Sequence, residues 1–199
     1  LVAYSSVSHM GFILLGMASL TIGGITGGVL QMFNHGITSG MMFFLVGIVY
    51  DRAHHRDLND FGGIGLQMPY YTGLAILGFF SGMGLPGLNG FISEALVFLG
   101  AYDSASTIWT HTSPCLVYIS LTGIILTAGY ILWTVQRVYL GETPDKYKSF
   151  PDINLRELIS VLPLGVLCLV FGIWPRLILD FMDPSLQAIT NTVQAMVGQ

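Results

Sequence analysis

From Leu1 to Tyr50 the sequence contains no Asp, Glu, Lys or Arg, and only 9% of its 199 residues are charged. A soluble domain carries about a quarter charged residues, so this chain has too few to coat a water-facing surface. Lysine is absent before Lys146, and no basic run offers a nucleic-acid interface. No phosphate-binding G-x-x-x-x-G-K-[ST] loop is present, which excludes ATP-driven transport by this chain itself. Neither a dinucleotide fingerprint nor a cysteine cluster for an iron–sulfur centre occurs. Cys115 and Cys168 lie far apart in apolar stretches and read as buried packing residues rather than a disulfide or a metal pair. A signal-peptide pattern is also missing. The chain opens on Leu1 inside an apolar stretch, which reads as a piece whose start lies upstream.

What is present is apolar: 53% of residues are hydrophobic and the mean hydropathy is +0.70. About 20 apolar residues cross a hydrocarbon core of roughly 30 Å. The uncharged runs have that length, and they predict spans at about 2–20, 26–50, 68–86, 88–108, 114–139 and 157–175. A turn is expected at Thr21–Gly24, charged connectors at Asp51–Asp60 and between the last two spans, and a polar break at Asp103–Pro114. In lipid every backbone polar group needs an internal partner, so the spans must be helices. They are too long for barrel strands. The expected fold is an all-α, polytopic integral membrane helix bundle with one helix broken near Pro86, among Gly82, Gly84, Gly87 and Gly90. Small residues at Gly23, Gly24, Gly27, Gly28 and Gly36-x-x-x-Gly40 predict close helix approach. Tyr70, Tyr71, Tyr102, Trp109, Tyr139 and Trp174 read as interfacial belts. Balanced cations at the two ends leave orientation open, and the uncharged tail 184–199 is expected at the surface or frayed.

Glu94 stands out. It is a carboxylate followed by the apolar run Ala95–Leu99 and preceded by the breaker-rich stretch at Pro86, Gly87 and Gly90. A charge at membrane depth costs roughly 2.5–3.5 kcal/mol on insertion scales, so such a group marks function. Desolvation brings its two protonation states closer in free energy, the condition for taking and releasing a proton. Broken helices expose backbone carbonyls and amides that line ion sites. The competing reading is a hydrated helix start stabilised by the helix dipole. In the second span Gln31, Asn34, His35, Thr38 and Ser39 follow a helical stripe. His35 reads as a proton relay, since imidazole titrates at about 6.5 and both donates and accepts, or else as a group joining helices. Ser5, Ser8 and His9 repeat the pattern in the first span. Haem ligation by His9 and His35 fits poorly with that amide and hydroxyl lining. His54 and His55 are adjacent and lack a third ligand, so the connector reads as loop or subunit contact, not a metal site. His111 reads as interfacial. Thr127, Tyr130, Thr134 and Arg137 share one face of the fifth span, with Arg137 reaching the headgroups.

These residues carry a resemblance. Leu1–Gly11, Leu30–Gly36 with Gly47–Arg52, and Gly84–Gly87 through Phe91, Glu94 and Leu99–Ala101 resemble, in order and spacing over residues 1–140, the antiporter-like proton-translocating subunits of NADH-quinone oxidoreductase. The likeness is to chain M (subunit 4) above its sisters, which tend to carry lysine where Glu94 stands. Asn34 departs from the Ser or Ala usual there. The resemblance implies inverted five-helix repeats, of which residues 1–140 would be the second, with 141–199 a connecting loop, last helix and tail. It implies Glu94, His35 and His9 as proton-transfer groups on a central axis supported by Gln31, Asn34, Thr38, Ser5, Ser8 and Tyr130. It further implies no cofactor in this chain. NADH, FMN, iron–sulfur clusters and quinone would belong to partner subunits, and sister antiporter-like subunits would be neighbours. The site would be an energy-transducing membrane, bacterial inner or organellar. A cation/proton antiporter subunit, or one of a ferredoxin–plastoquinone or hydrogenase complex, is the alternative.

Overall fold

A computed structural model describes residues 1–107 and 115–197, and the regular structure among them is all helical, with no strand. The helices are α1 (Val2–Ala18), α2 (Ile22–Ala53), α3 (Ile64–Gln67), α4 (Pro69–Gly82), α5 (Asn89–Thr107), α6 (Cys115–Tyr139), α7 (Leu155–Ile173) and α8 (Arg176–Val197). Three of them, α2, α6 and α7, are long and apolar enough to cross a membrane by length and composition, and α1 is a shorter apolar helix of 17 residues. Each of the six expected segments holds a described helix (α1, α2, α4, α5, α6 and α7 in turn), but the third is helical only to Gly82, short of the expected 86. The expected interfacial Trp109 and His111, and the Pro114 end of the polar break, lie outside the described residues.

Local chemistry sets the ends. The Thr21 hydroxyl accepts from Gly24 N at 3.1 Å and caps α2. His54, in the left-handed conformation at φ 57°, stops it. Pro69 opens α4, where its missing N–H costs nothing. Asn154 and Glu157 form a reciprocal capping box at the start of α7.

The long helix α2 is the spine. α1 returns along it, with Gly16 against the backbone of Gly24 and Gly28. The third and fourth segments are the two arms of the broken helix. Gly78 packs beside Met41 and Leu45, and Gly82 beside Thr38 and Met42. Beyond the break Asn89 bonds Asn34, Ser93 bonds Gln31, and Gly27 faces Leu96 and Val97. Both arms therefore run antiparallel to α2 and continue in one direction, a point hydropathy could not reveal.

Close approach falls at Gly16, Gly24, Gly27, Gly28 and Gly100, where an added Cβ would meet the neighbouring helix. The expected Gly36-x-x-x-Gly40 contact is not made: a Cβ at Gly36 meets nothing within 4 Å, and Gly40 only brushes Leu164 at 4.0 Å. Tyr71 and Tyr139 are likewise not belt residues. Both are buried in the main core, and their hydroxyls lie 3.3 Å apart, with that of Tyr71 donating to Leu45 O at 3.0 Å. Tyr70, Tyr102 and Trp174 are exposed as expected. Cys168 is buried, but Cys115, the first residue of α6, is exposed.

A polar lock closes the Asp51 end. The Arg52 guanidinium donates to both oxygens of Glu157 at 3.0 and 2.9 Å and to the carbonyls of Ile48, Pro151 and Asp152. The Asp152 carboxylate accepts from the free N–H groups of Tyr70 and Tyr71. Three helices are thus tied through one loop. His55 joins this loop structure by stacking on Phe61 at 4.7 Å and bonding the Tyr147 hydroxyl at 2.6 Å. The tail, expected at the surface or frayed, is the amphipathic α8, which packs Leu186 and Thr190 inward and leaves Leu177 and Phe181 exposed.

Candidate functional site

The break in the α4–α5 helix is built by Gly84 at φ +74° and Gly87 at φ +93°, conformations that an L side chain rarely adopts. With Pro86 between them, the chain leaves α4 after Gly82 and restarts at Asn89. Two consequences follow. The carbonyl of Gly82, at the open end of α4, turns to His9 and lies 3.1 Å from its Nε2. Glu94, in the second turn of α5, folds its carboxylate back over Gly84, where a Cβ would collide with it.

His9 is the meeting point. Its Nε2 is 3.9 Å from Glu94 Oε1, and its ring centroid is 5.0 Å from that of His35. His9 is 2% exposed and Glu94 5%, so neither is a hydrated helix-end group. A carbonyl only accepts, so the bond to Gly82 places the proton on Nε2 in the neutral ring. Nδ1 is then the free lone pair, buried without a partner among the described residues. His35 is half-buried and reaches the Ser39 hydroxyl at 2.9 Å. Tyr130 of α6 has Thr127 and Ser5 as polar neighbours and lies within electrostatic reach of Glu94. Among the described residues its buried hydroxyl has no partner at full hydrogen-bond geometry. Four elements therefore converge on one line of groups, from Tyr130 and Glu94 through His9 to His35 and Ser39.

The α2 stripe divides. His35 turns to α1, whereas Gln31, Asn34 and Thr38 turn to the broken helix. Asn34 Nδ2 donates to Asn89 O at 2.7 Å and Ser93 Oγ at 3.2 Å. Ser93 donates to Gln31 Oε1, and Ser81 to Asn89 Oδ1, while Thr38 Oγ1 is 3.2 Å from Ser81 Oγ. These amides and hydroxyls form a neutral clamp that holds both arms of the break against α2. Ser5 Oγ is spent on Val2 O within its own helix at 2.7 Å. Ser8 is half-buried and outside both sets of bonds.

Residues 1–133 match the family described as NADH:quinone oxidoreductase/Mrp antiporter, transmembrane. This chain belongs to that family. It is 34% identical over 199 residues to NADH-quinone oxidoreductase subunit M of Rhodobacter capsulatus, covering 100% of this chain and 37% of that protein. It is 36% identical over 196 residues to F(420)H(2) dehydrogenase subunit M of Methanosarcina mazei, covering 98% of this chain and 38% of that one. A chain of respiratory complex I from Thermus thermophilus with bound NADH superposes with a TM-score of 0.85 at 31% identity, over 96% of this chain and 38% of that chain. A chain of the Mrp complex from Dietzia shares the fold, with a TM-score of 0.80 at 20% identity, over 93% of this chain and 41% of that chain. The chain thus spans under two-fifths of the length of these curated relatives.

Within this antiporter-family chain the sequence pointed to Glu94, His9 and His35, and the fold brings them together. It missed Ser81, Asn89 and Ser93. Asn89 and Ser93 sit at i and i+4, with Glu94 next to Ser93, a polar cluster in a membrane segment that was legible but was absorbed into the break. The role of the Gly82 carbonyl had no side-chain signal at all. Among the described residues no group of three or more His, Cys, Asp or Glu is placed to hold a metal ion.

Proposed function

We propose that this chain is part of the proton-translocating subunit M (chain 4) of a respiratory NADH:quinone oxidoreductase, and that protons move along the buried Glu94–His9–His35 axis. The observation that carries the reading is His9, buried between a carboxylate at 3.9 Å and a second imidazole at 5.0 Å between centroids. Supporting it are the subunit M relatives and the complex I chain at 31% identity. Residues 1–140 would be the second five-helix repeat, and 141–199 the connecting loop, last helix and tail. NADH, FMN, iron–sulfur clusters and quinone act in partner subunits, sister antiporter-like subunits lie alongside, and this chain is not redox-active.

The chemistry follows from the geometry. Glu94 and His9 stand beyond direct hydrogen-bond distance, because the His9 Nε2–H is held by Gly82 O. A small shift of the break, or one bridging water, closes that gap. The free Nδ1 lone pair takes a proton, and the imidazolium so formed releases its Nε2 proton to the Glu94 carboxylate once that gap is closed, which carries one proton across the ring. Gly84 leaves the carboxylate room to turn, and the amide–hydroxyl clamp keeps the arms registered on α2 meanwhile. Energy would come from quinone reduction elsewhere in the complex.

The second reading is a cation/proton antiporter subunit, favoured by the shared fold of the Mrp chain. An F(420)H(2)-, ferredoxin- or hydrogenase-driven complex is a cousin that keeps the same axis. Inverted vesicles containing the intact complex separate them. Proton uptake that requires both NADH and quinone supports the proposal. Sodium-driven proton exchange in the absence of both refutes it.

A further inference from the structure

We propose that the groove between α2 and α7 at the Asp51 end binds one zwitterionic aminophospholipid, with its phosphate on Arg156, its ammonium on Asp51 and an acyl chain over Gly47 and Gly40. The groove has a volume of about 480 Å³ and is lined on α2 by Gly40, Phe43, Phe44, Gly47, Ile48 and Asp51. Those positions are spaced by three and one in turn, so they form a single stripe down the helix. Arg156, Glu157, Ser160 and Val161 of α7 form the opposite wall near its mouth.

Length and charge both fit that ligand. Eleven residues separate Gly40 from Asp51, about 16 Å at a rise of about 1.5 Å per residue. One leaflet of a hydrocarbon core of roughly 30 Å is about 15 Å deep, so the stripe runs from headgroup depth to the bilayer middle. The floor is open: a Cβ at Gly47 meets nothing within 4 Å, and Phe43 and Phe44 are 51% and 53% exposed on either side of the groove. At the mouth Glu157 is consumed by Arg52. Asp51 and Arg156 are both exposed, and neither enters an ion pair among the described residues. One free carboxylate and one free guanidinium at the rim match a headgroup carrying an ammonium and a phosphate. A purely anionic headgroup would be repelled by Asp51.

The test uses the purified intact complex, equilibrated with vesicles of mixed phosphatidylethanolamine and phosphatidylglycerol, with retained lipid counted by native mass spectrometry. Wild type should retain phosphatidylethanolamine in preference. Arg156→Gln, which removes a charge-assisted phosphate contact, should lower its retention about tenfold. Asp51→Asn should erase the preference between the two lipids. Gly47→Leu fills open space rather than packed core, so the fold is kept and both lipids should be expelled. An unchanged count in Arg156→Gln or Gly47→Leu, or an unchanged lipid preference in Asp51→Asn, overturns the proposal. So does loss of a polypeptide subunit instead of lipid from Gly47→Leu, which would make the groove a protein interface.

Discussion

Replacing Arg52 by Gln should weaken the bundle by about 2–3 kcal/mol, between the ~1 kcal/mol ceiling of an exposed ion pair and the ~3–5 kcal/mol of breaking a buried one. The placement between those limits comes from exposure: the side chains of Arg52 and Glu157 are 8% and 20% exposed. The substitution removes the bidentate pair to Glu157 and the donors to the carbonyls of Ile48, Pro151 and Asp152. It thereby frees the loop whose Asp152 caps α4. Arg52→Lys keeps the charge but loses the fork, and should cost roughly half as much. A double-mutant cycle with Glu157→Gln, followed by equilibrium unfolding of the full-length protein in mixed micelles, should return a coupling energy of about 1.5–2 kcal/mol. Additivity to within ~0.5 kcal/mol would refute the reasoning, because it would mean that the pair contributes nothing beyond its separate contacts.

Four further outcomes are expected. Gly27→Ala places a Cβ 2.6 Å from Val97 N and 2.8 Å from Leu96 Cβ, and should cost about 1–3 kcal/mol by overpacking in the same unfolding assay. Gly36→Ala, which meets nothing within 4 Å, should be neutral or slightly stabilising. Gly84→Ala forces a residue with φ +74° against the Glu94 carboxylate, so NADH–quinone turnover coupled to pumping should fall while the complex still assembles on native gels. Asn89→Ala leaves the Ser81 and Thr38 hydroxyls without their shared acceptor. It should destabilise by about 1–3 kcal/mol, the cost of orphaned buried polar groups.

Much of this architecture was legible in the sequence because lipid imposes strong rules. Gaps between charges gave the helical segments, and the cost of polar groups at depth singled out Glu94, His9 and His35. What was not legible has physical reasons. Hydropathy reports a segment's composition but not its direction, so the two arms around Pro86 could not be seen to continue along α2. Tyr71 and Tyr139 looked like belt residues because an apolar ring with a hydroxyl suits an interface as well as a core, and only their mutual hydrogen bond decides. Gly36-x-x-x-Gly40 fits the small-residue pattern as well as Gly24 and Gly28 do, but a pattern cannot say whether a neighbour stands opposite. Arg52 read as loop or subunit contact because its five acceptors include three backbone carbonyls, which leave no trace in residue identity. The amphipathic α8 was obscured by Pro184 and an uncharged end.

The central claim, that the proton path runs through Glu94, is tested most directly by the number of protons taken up per NADH oxidised in inverted vesicles carrying the full-length Glu94→Gln protein. Gln preserves size and hydrogen bonding but cannot exchange a proton. The account predicts that proton uptake and coupled turnover both fall while the complex remains assembled. Unchanged uptake and turnover would contradict it and leave Glu94 a structural carboxyl group beside a broken helix.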